Sequence, residues 1–292
     1  MSRTGHALFI AVLFSLGFLI VGGAAIYGAD YYLTPEKERP FHPQYDLLKP
    51  TGLVGHGYGI IGSLMILVGV GIYSSRKRFR LFSSVGKLKH FLEFHIFLCT
   101  TGPALVVLHT TFKFGGLVAI SFWSMVAVVL SGVIGRYLYI QIPKGIQGNE
   151  LSIAELNARH ATLGDQLLKE YGVPRELLSQ IDALARPSRP AAELSTMETL
   201  HFLVLSDFRR GRKLRAIAGM FRSHNFPHAA LKRFLSIASD RLVLTRRIAL
   251  LEKLRSLFTL WHVIHFPFSI IMLIILLVHV GVALAFGYRW VW

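Results

Sequence analysis

Five runs of about 20 apolar residues, each long enough to cross a ~30 Å hydrocarbon core, decide the class of this chain before any motif is considered. They cover 7–27, 53–73, 91–112, 117–140 and 257–286. Of the 292 residues, 53% are hydrophobic and only 16% charged, against about 25% charged in a soluble domain. The expected fold is all-α: an integral membrane helical bundle of five transmembrane helices with a helical insert between the fourth and fifth.

The formal net charge of +16 is distributed as membrane topology requires, not as a nucleic-acid footprint. After the second span, Arg76, Lys77, Arg78, Arg80, Lys87 and Lys89 are unopposed by any acidic residue. The segment 142–256 is also basic, whereas 29–51 sets Asp30, Glu36, Glu38 and Asp46 against Lys37, Arg39 and Lys49. Lysine and arginine excess marks the cytoplasmic side. A cytoplasmic N-terminus and insert with a periplasmic C-terminus satisfy every loop, which is the pattern expected in a bacterial inner membrane. Lipid headgroups, not nucleic acid, are the expected partners of the positive charge.

Cysteine chemistry is nearly excluded. Cys99 is the single cysteine and lies inside a span, so it builds neither an iron–sulfur cluster, an internal disulfide nor a zinc site. There is no Cys-x-x-Cys-His for covalent haem, and no glycine-rich nucleotide loop. Redox or transport chemistry must use histidines or a partner.

Three segments are expected: a four-helix transmembrane region at 1–141, a cytoplasmic helical insert at 142–256, and a fifth transmembrane helix at 257–292 completing the bundle. The first span has Arg3 before it and small residues after it, but its apolar core is longer than that of a signal peptide, so it is read as retained. In the insert, Ser152 with Glu155 and Ser195 with Glu198 fit the capping box that opens helices. Pro174 fits the first turn of a helix over 174–185, and 186–190 reads as a linker. Asn225-Phe226-Pro227 looks like the start of a long helix carrying Leu231, Phe234, Leu235, Ala238 and Leu242. Nothing breaks that helix before the last span, so one continuous rod is expected.

Ionisable side chains inside spans are costly and mark function by default. The third span carries His95 and His109, and the fifth His265 and His279; both pairs are fourteen residues apart. At ~100° and 1.5 Å per residue, each pair faces one way, at two levels about 21 Å apart. The third and fifth spans run in the same direction, so His95 opposes His265 and His109 opposes His279 at matching depths. Two imidazoles on opposite sides of an iron are a six-coordinate haem arrangement suited to electron transfer, because no position is left for oxygen. Two haem b groups are therefore expected. Gly102, midway between His95 and His109, and Gly132, Gly135 and Gly281 offer the small residues a ring needs. Arg136, near the inner end of the fourth span, suits a haem propionate.

The doubled His-x13-His pattern resembles the four-helix haem core of cytochrome b in quinol–cytochrome c reductases. The five-span layout is similar to the di-haem cytochrome b subunits of formate dehydrogenase, nickel–iron hydrogenase and respiratory nitrate reductase. The likeness covers spans two to five, and its specific part is His95, His109, His265 and His279. It implies a respiratory electron-transfer subunit of a quinone-linked oxidoreductase, exchanging electrons between quinone or quinol and another subunit. A periplasmic multihaem cytochrome c and a cytoplasmic iron–sulfur flavoprotein are the two kinds of partner. The insert departs from these families, and the Pro-Glu-Trp-Tyr stretch of the bc-type quinone site is missing, so that full catalytic cycle is not implied.

Other histidines compete for roles. His262, one turn before His265, lies seventeen residues from His279 and also comes near the same face; the matched spacing of fourteen favours His265. His56, glycine-flanked at the outer end of the second span, fits a quinone contact, a proton carrier or an interfacial cap. Glu93, the single acidic residue placed within a span, fits an interfacial ion pair with Lys89 or a nearby arginine, or a proton path to a quinone near the inner haem. His90 is read as interfacial, and His6, His42, His160, His201, His224 and His228 are given no role. The basic run 209–215 reads as solvated or lipid-facing surface, with docking of an acidic redox partner as its alternative. Tyr31, Tyr32, Trp290 and Trp292 fit an interfacial aromatic belt.

Two rival functions differ in class. One is a haem-free membrane anchor or assembly protein whose insert binds a cytoplasmic partner. The other, a proton-coupled transporter, is disfavoured by the lack of a deep carboxylate and of repeated halves.

Overall fold

The computed structural model describes residues 3–79, 85–113, 115, 118–144, 150–221 and 228–286. In hydrocarbon every backbone N–H and C=O must be paired within the protein, which makes helices of the apolar runs. Five helices are long and apolar enough to span a membrane. They are α1 (Arg3–Tyr27), then, after the short α2 (Ala29–Leu33) and α3 (Tyr45–Leu48), α4 (Leu53–Arg78), α5 (Leu88–His109), α6 (Val118–Gln141) and finally α11 (Leu251–Ala285). Between α6 and α11 lie α7 (Ile153–Tyr171), α8 (Arg175–Ala185), α9 (Thr196–Phe221) and α10 (His228–Ala249). No strand occurs among the described residues. The fold is an all-α helical bundle.

The chain divides into two compact units, Met1–Gly132 with Ile264–Trp292, and Val133–Val263. The second unit thus takes in the end of α6 and the start of α11 as well as the insert.

In the first unit α5 packs against one parallel neighbour and one antiparallel one. His6 and Gly17 of α1 meet Glu93 and Thr101 of α5, so these two helices run together. Contacts of Gly69 with His95 and of Gly55 with His109 make α4 antiparallel to α5. Its interior holds Ile66, Phe122, Met125, Met272 and Leu276, with Ala24, Leu105 and Leu108 forming a second cluster. Phe14, Phe18, Leu64, Ile274 and Leu277 are exposed, the outward apolar face a lipid-embedded bundle needs.

Where α5 ends, Thr111 and Phe112 both take positive φ, 50° and 63°. That conformation is strained for a β-branched residue such as Thr111. The buried Arg39 guanidinium holds it, donating to the carbonyls of Thr111 (2.5 Å), Thr34 (2.9 Å) and Tyr32 (3.0 Å). The loop after α2 is thereby tied to the end of α5.

The second unit has soluble-type cores. One joins Leu167, Ile181, Ile217, Phe234, Ala238 and Leu242, which places the apolar stripe of α10 as its sequence requires. The other joins Leu138, Leu203, Leu250, Leu254 and Leu257. Both capping boxes form: Ser152 with Glu155, and Ser195 with Glu198. Bonds from the Ser195 backbone and hydroxyl, helped by Arg189, bring the exposed Glu198 carboxyl down to about 2. Pro174 occupies the N-cap of α8, one position before the first turn expected for it.

The expected continuous rod is corrected here. α10 ends at Ala249 and α11 begins at Leu251, with Leu250 a turn between them. Leu250 still donates to Arg246 and accepts from Leu254, so the helical bonds bridge a single-residue interruption. Leu250 itself is fully buried in the second core. Neither glycine nor proline stands at the break, which is why the sequence hides it. The Asn225-Phe226-Pro227 start signal lies outside the described residues, as do Trp290 and Trp292.

Candidate functional site

The site is organised by the register of α4 against α5. His95 and His109 are fourteen residues apart, and the carbonyls they meet, Gly69 and Gly55, are fourteen apart as well. At the midpoint of both intervals Gly62 faces Gly102. A Cβ on Gly62 would stand 2.6 Å from the Gly102 carbonyl oxygen, and one on Gly102 would stand 2.7 Å from that of Gly62. Only glycine permits two backbones to approach this closely. Gly102 therefore sets the helix spacing from which both histidines are held.

The hydrogen bonds fix the tautomers. His95 Nδ1 lies 3.0 Å from the Gly69 carbonyl, and His109 Nδ1 lies 2.8 Å from the Gly55 carbonyl. A carbonyl only accepts, so each Nδ1 carries the proton and each lone pair is at Nε2. Tyr73 stacks on the His95 ring at 5.0 Å, and Cys99 Sγ lies 3.5 Å from its Nδ1. A Cβ on Gly59 would stand 2.8 Å from His109 Nδ1, so that glycine makes room for the ring.

α11 supplies a third imidazole of the same type. His265 Nδ1 lies 2.7 Å from Ser131 Oγ, whose hydroxyl donates to the Val128 carbonyl at 2.9 Å. This bond at Nδ1 turns His265 Nε2 away from Ser131. At the other level His279 is close enough to interact electrostatically with both His109 and His56. The His56 and His109 ring centroids are 6.1 Å apart.

These contacts also give the helix directions. The start of α4 meets α11 near His279, through His56, and its end meets α11 at Phe266, under the Arg78 guanidinium at 4.6 Å. α4 and α11 are antiparallel. Since α4 also opposes α5, α5 and α11 run the same way.

The remaining residues singled out by sequence are placed as follows. His262 bonds through Nδ1 to Phe258, one turn back on its own helix, at 2.9 Å. Its ring packs edge-on against Phe258 and Trp261 at 4.6 and 4.4 Å. Arg136 is half-buried in the second unit, its guanidinium 5.6 Å from the Tyr139 ring. Gly135 accommodates the Trp261 ring, while a Cβ on Gly281 would meet nothing. Glu93, 5% exposed, contacts His6 and His90 as well as Lys89.

Sequence reasoning missed the ring partners Gly55, Gly69 and Ser131, and it missed His6. Gly55 and Gly69 share the histidines' spacing of fourteen, a signal that could have found them.

The geometry and the five apolar helices define a multi-pass membrane protein in contact with lipid. Compared with protein-family models, with curated proteins and with solved structures, the chain matches none.

Proposed function

We propose that this chain is a di-haem b-type cytochrome, the membrane electron-transfer subunit of a quinone-linked oxidoreductase complex. His109 with His279 would hold one haem and His95 with His265 the other. The observation that carries the reading is the shared Nδ1 bonding of His95, His109 and His265. Axial histidines commonly donate the second ring nitrogen to a carbonyl or similar acceptor, which orients the ring and raises the basicity of Nε2. His262 bonds through Nδ1 within its own helix, whereas His95 and His109 bond across to α4 at two levels fourteen residues apart. The common direction of α5 and α11 supports the pairing across the bundle.

Six-coordinate haem, when bound, supplies a one-electron couple with no position open to oxygen. The chain's own residues do the rest. Gly55, Gly69 and Ser131 lock the imidazoles, Gly62 and Gly102 set the helix spacing, and Tyr73 covers His95. His56, beside His109, is the proton carrier we assign to quinone at that level. The basic segments 76–89 and 142–256 favour a cytoplasmic position for the insert in a bacterial inner membrane, with a further redox subunit completing the circuit.

The test is spectroscopic. Protein isolated in mild detergent is expected to give a reduced-minus-oxidised haem b spectrum, and a short-chain quinol added without oxygen is expected to reduce it. Haem-free protein overturns the reading and favours the anchor alternative; haem that quinol cannot reduce overturns the quinone link.

A further inference from the structure

We propose that His6, His90 and Glu93 form a binding site for a divalent transition-metal ion of the zinc or cobalt type, separate from the haem ligands. α1 and α5 run together, so the start of α1 lies beside the first turns of α5, where His90 and Glu93 share a face at i, i+3. Glu93 Oε1 lies 3.3 Å from His6 Nε2, and Glu93 Oε2 lies 3.2 Å from His90 Nδ1. The donor atoms of all three residues fall within 4.8 Å of one another. Ligands about 2.0–2.2 Å from a tetrahedral zinc stand roughly 3.3–3.5 Å apart, the separation each imidazole already keeps from one of the two Glu93 oxygens.

Protonation favours the same conclusion. The Lys89 ammonium lies 2.8 Å from His6 Nε2 and 3.8 Å from Glu93 Oε1. An ammonium only donates, so His6 Nε2 is unprotonated, as a metal ligand must be. A cation thus already sits against these groups, held by an exposed and flexible side chain that an ion can displace. Two imidazoles and one carboxylate select a transition metal over magnesium or calcium, which prefer oxygen ligands alone.

The test uses the full chain in detergent, stripped with a chelator and titrated with Co2+, Zn2+ or Mg2+. Wild type is expected to bind one Co2+ or Zn2+ and no Mg2+ at the same concentration. His6→Ala and Glu93→Gln are each expected to weaken Co2+ binding by at least about tenfold, with haem content unchanged. Lys89→Met removes the competing ammonium and is expected to tighten binding, a gain that misfolding cannot produce. Absence of stoichiometric Co2+ binding, or equal affinity in wild type and all three variants, overturns the proposal. Because haem content is read in the same samples, its failure is separable from failure of the cytochrome reading.

Discussion

His109 is bonded through Nδ1 to the carbonyl of Gly55, one helix away, at 2.8 Å, and the next turn of that helix presents Gly59 to the imidazole ring. A Cβ at Gly59 would fall 2.8 Å from Nδ1, inside the closest approach side chains tolerate. Gly59→Ala is therefore expected to rotate the ring and weaken haem retention at that level by about tenfold, the scale seen when a ligand's support is disturbed. Gly71→Ala, on the same helix with nothing within 4 Å of a new Cβ, is expected to leave haem content unchanged. Paired haem assays on the two variants check this.

Gly62 and Gly102 act on the bundle as a whole. Either one changed to alanine drives a methyl group into the opposing backbone carbonyl, which cannot rotate away. Overpacking of this sort costs about 1–3 kcal/mol. Gly102→Ala is expected to lower the midpoint of thermal unfolding in detergent, and to loosen both levels equally, since it sits halfway between His95 and His109.

The five spans were legible because a bilayer imposes a length on apolar sequence, and the capping boxes because Ser152 and Ser195 stand three residues before Glu155 and Glu198. The fourteen-residue spacing of the histidines was equally plain. The hydrogen-bond partners of their rings were not, because Gly55 and Gly69 act through backbone carbonyls and Ser131 reads as an ordinary span residue. Leu250 hid the break before the last helix, since leucine favours helix and neither glycine nor proline stands there. His6 was dismissed because its partners, His90 and Glu93, lie on a helix distant in sequence.

Ser131 offers a test of the lower-profile ligand. Ser131→Ala removes the hydroxyl bonded to His265 Nδ1, and is expected to reduce haem affinity at that level by about tenfold and to shift its midpoint potential. His262→Ala, whose ring bonds within its own helix, is expected to change neither. Redox titration of the two variants distinguishes them.

In the insert, stability is expected to depend on acid. Burial acts to raise the Asp182 pKa, but the bidentate Arg241 guanidinium at 2.7 and 2.9 Å, with His160 and the Thr245 hydroxyl, brings it below its ordinary value. A carboxylate depressed in the folded state contributes its full stability above the ordinary value of about 3.9, and loses it as pH falls through the folded value. Asp182→Asn leaves the buried Arg241 without its counter-charge, at a cost of about 3 kcal/mol at neutral pH. The gap between variant and wild type is expected to narrow below about pH 4. Urea unfolding of the full chain across that range, followed by circular dichroism, measures it.

The most direct measurement is the haem-to-protein ratio of the purified chain and of His95→Ala and His109→Ala variants that keep their helical content. The account predicts two haem b per wild-type chain, with loss of the haem at the altered level in each variant. A wild-type chain without haem, or variants that both retain two, would contradict it.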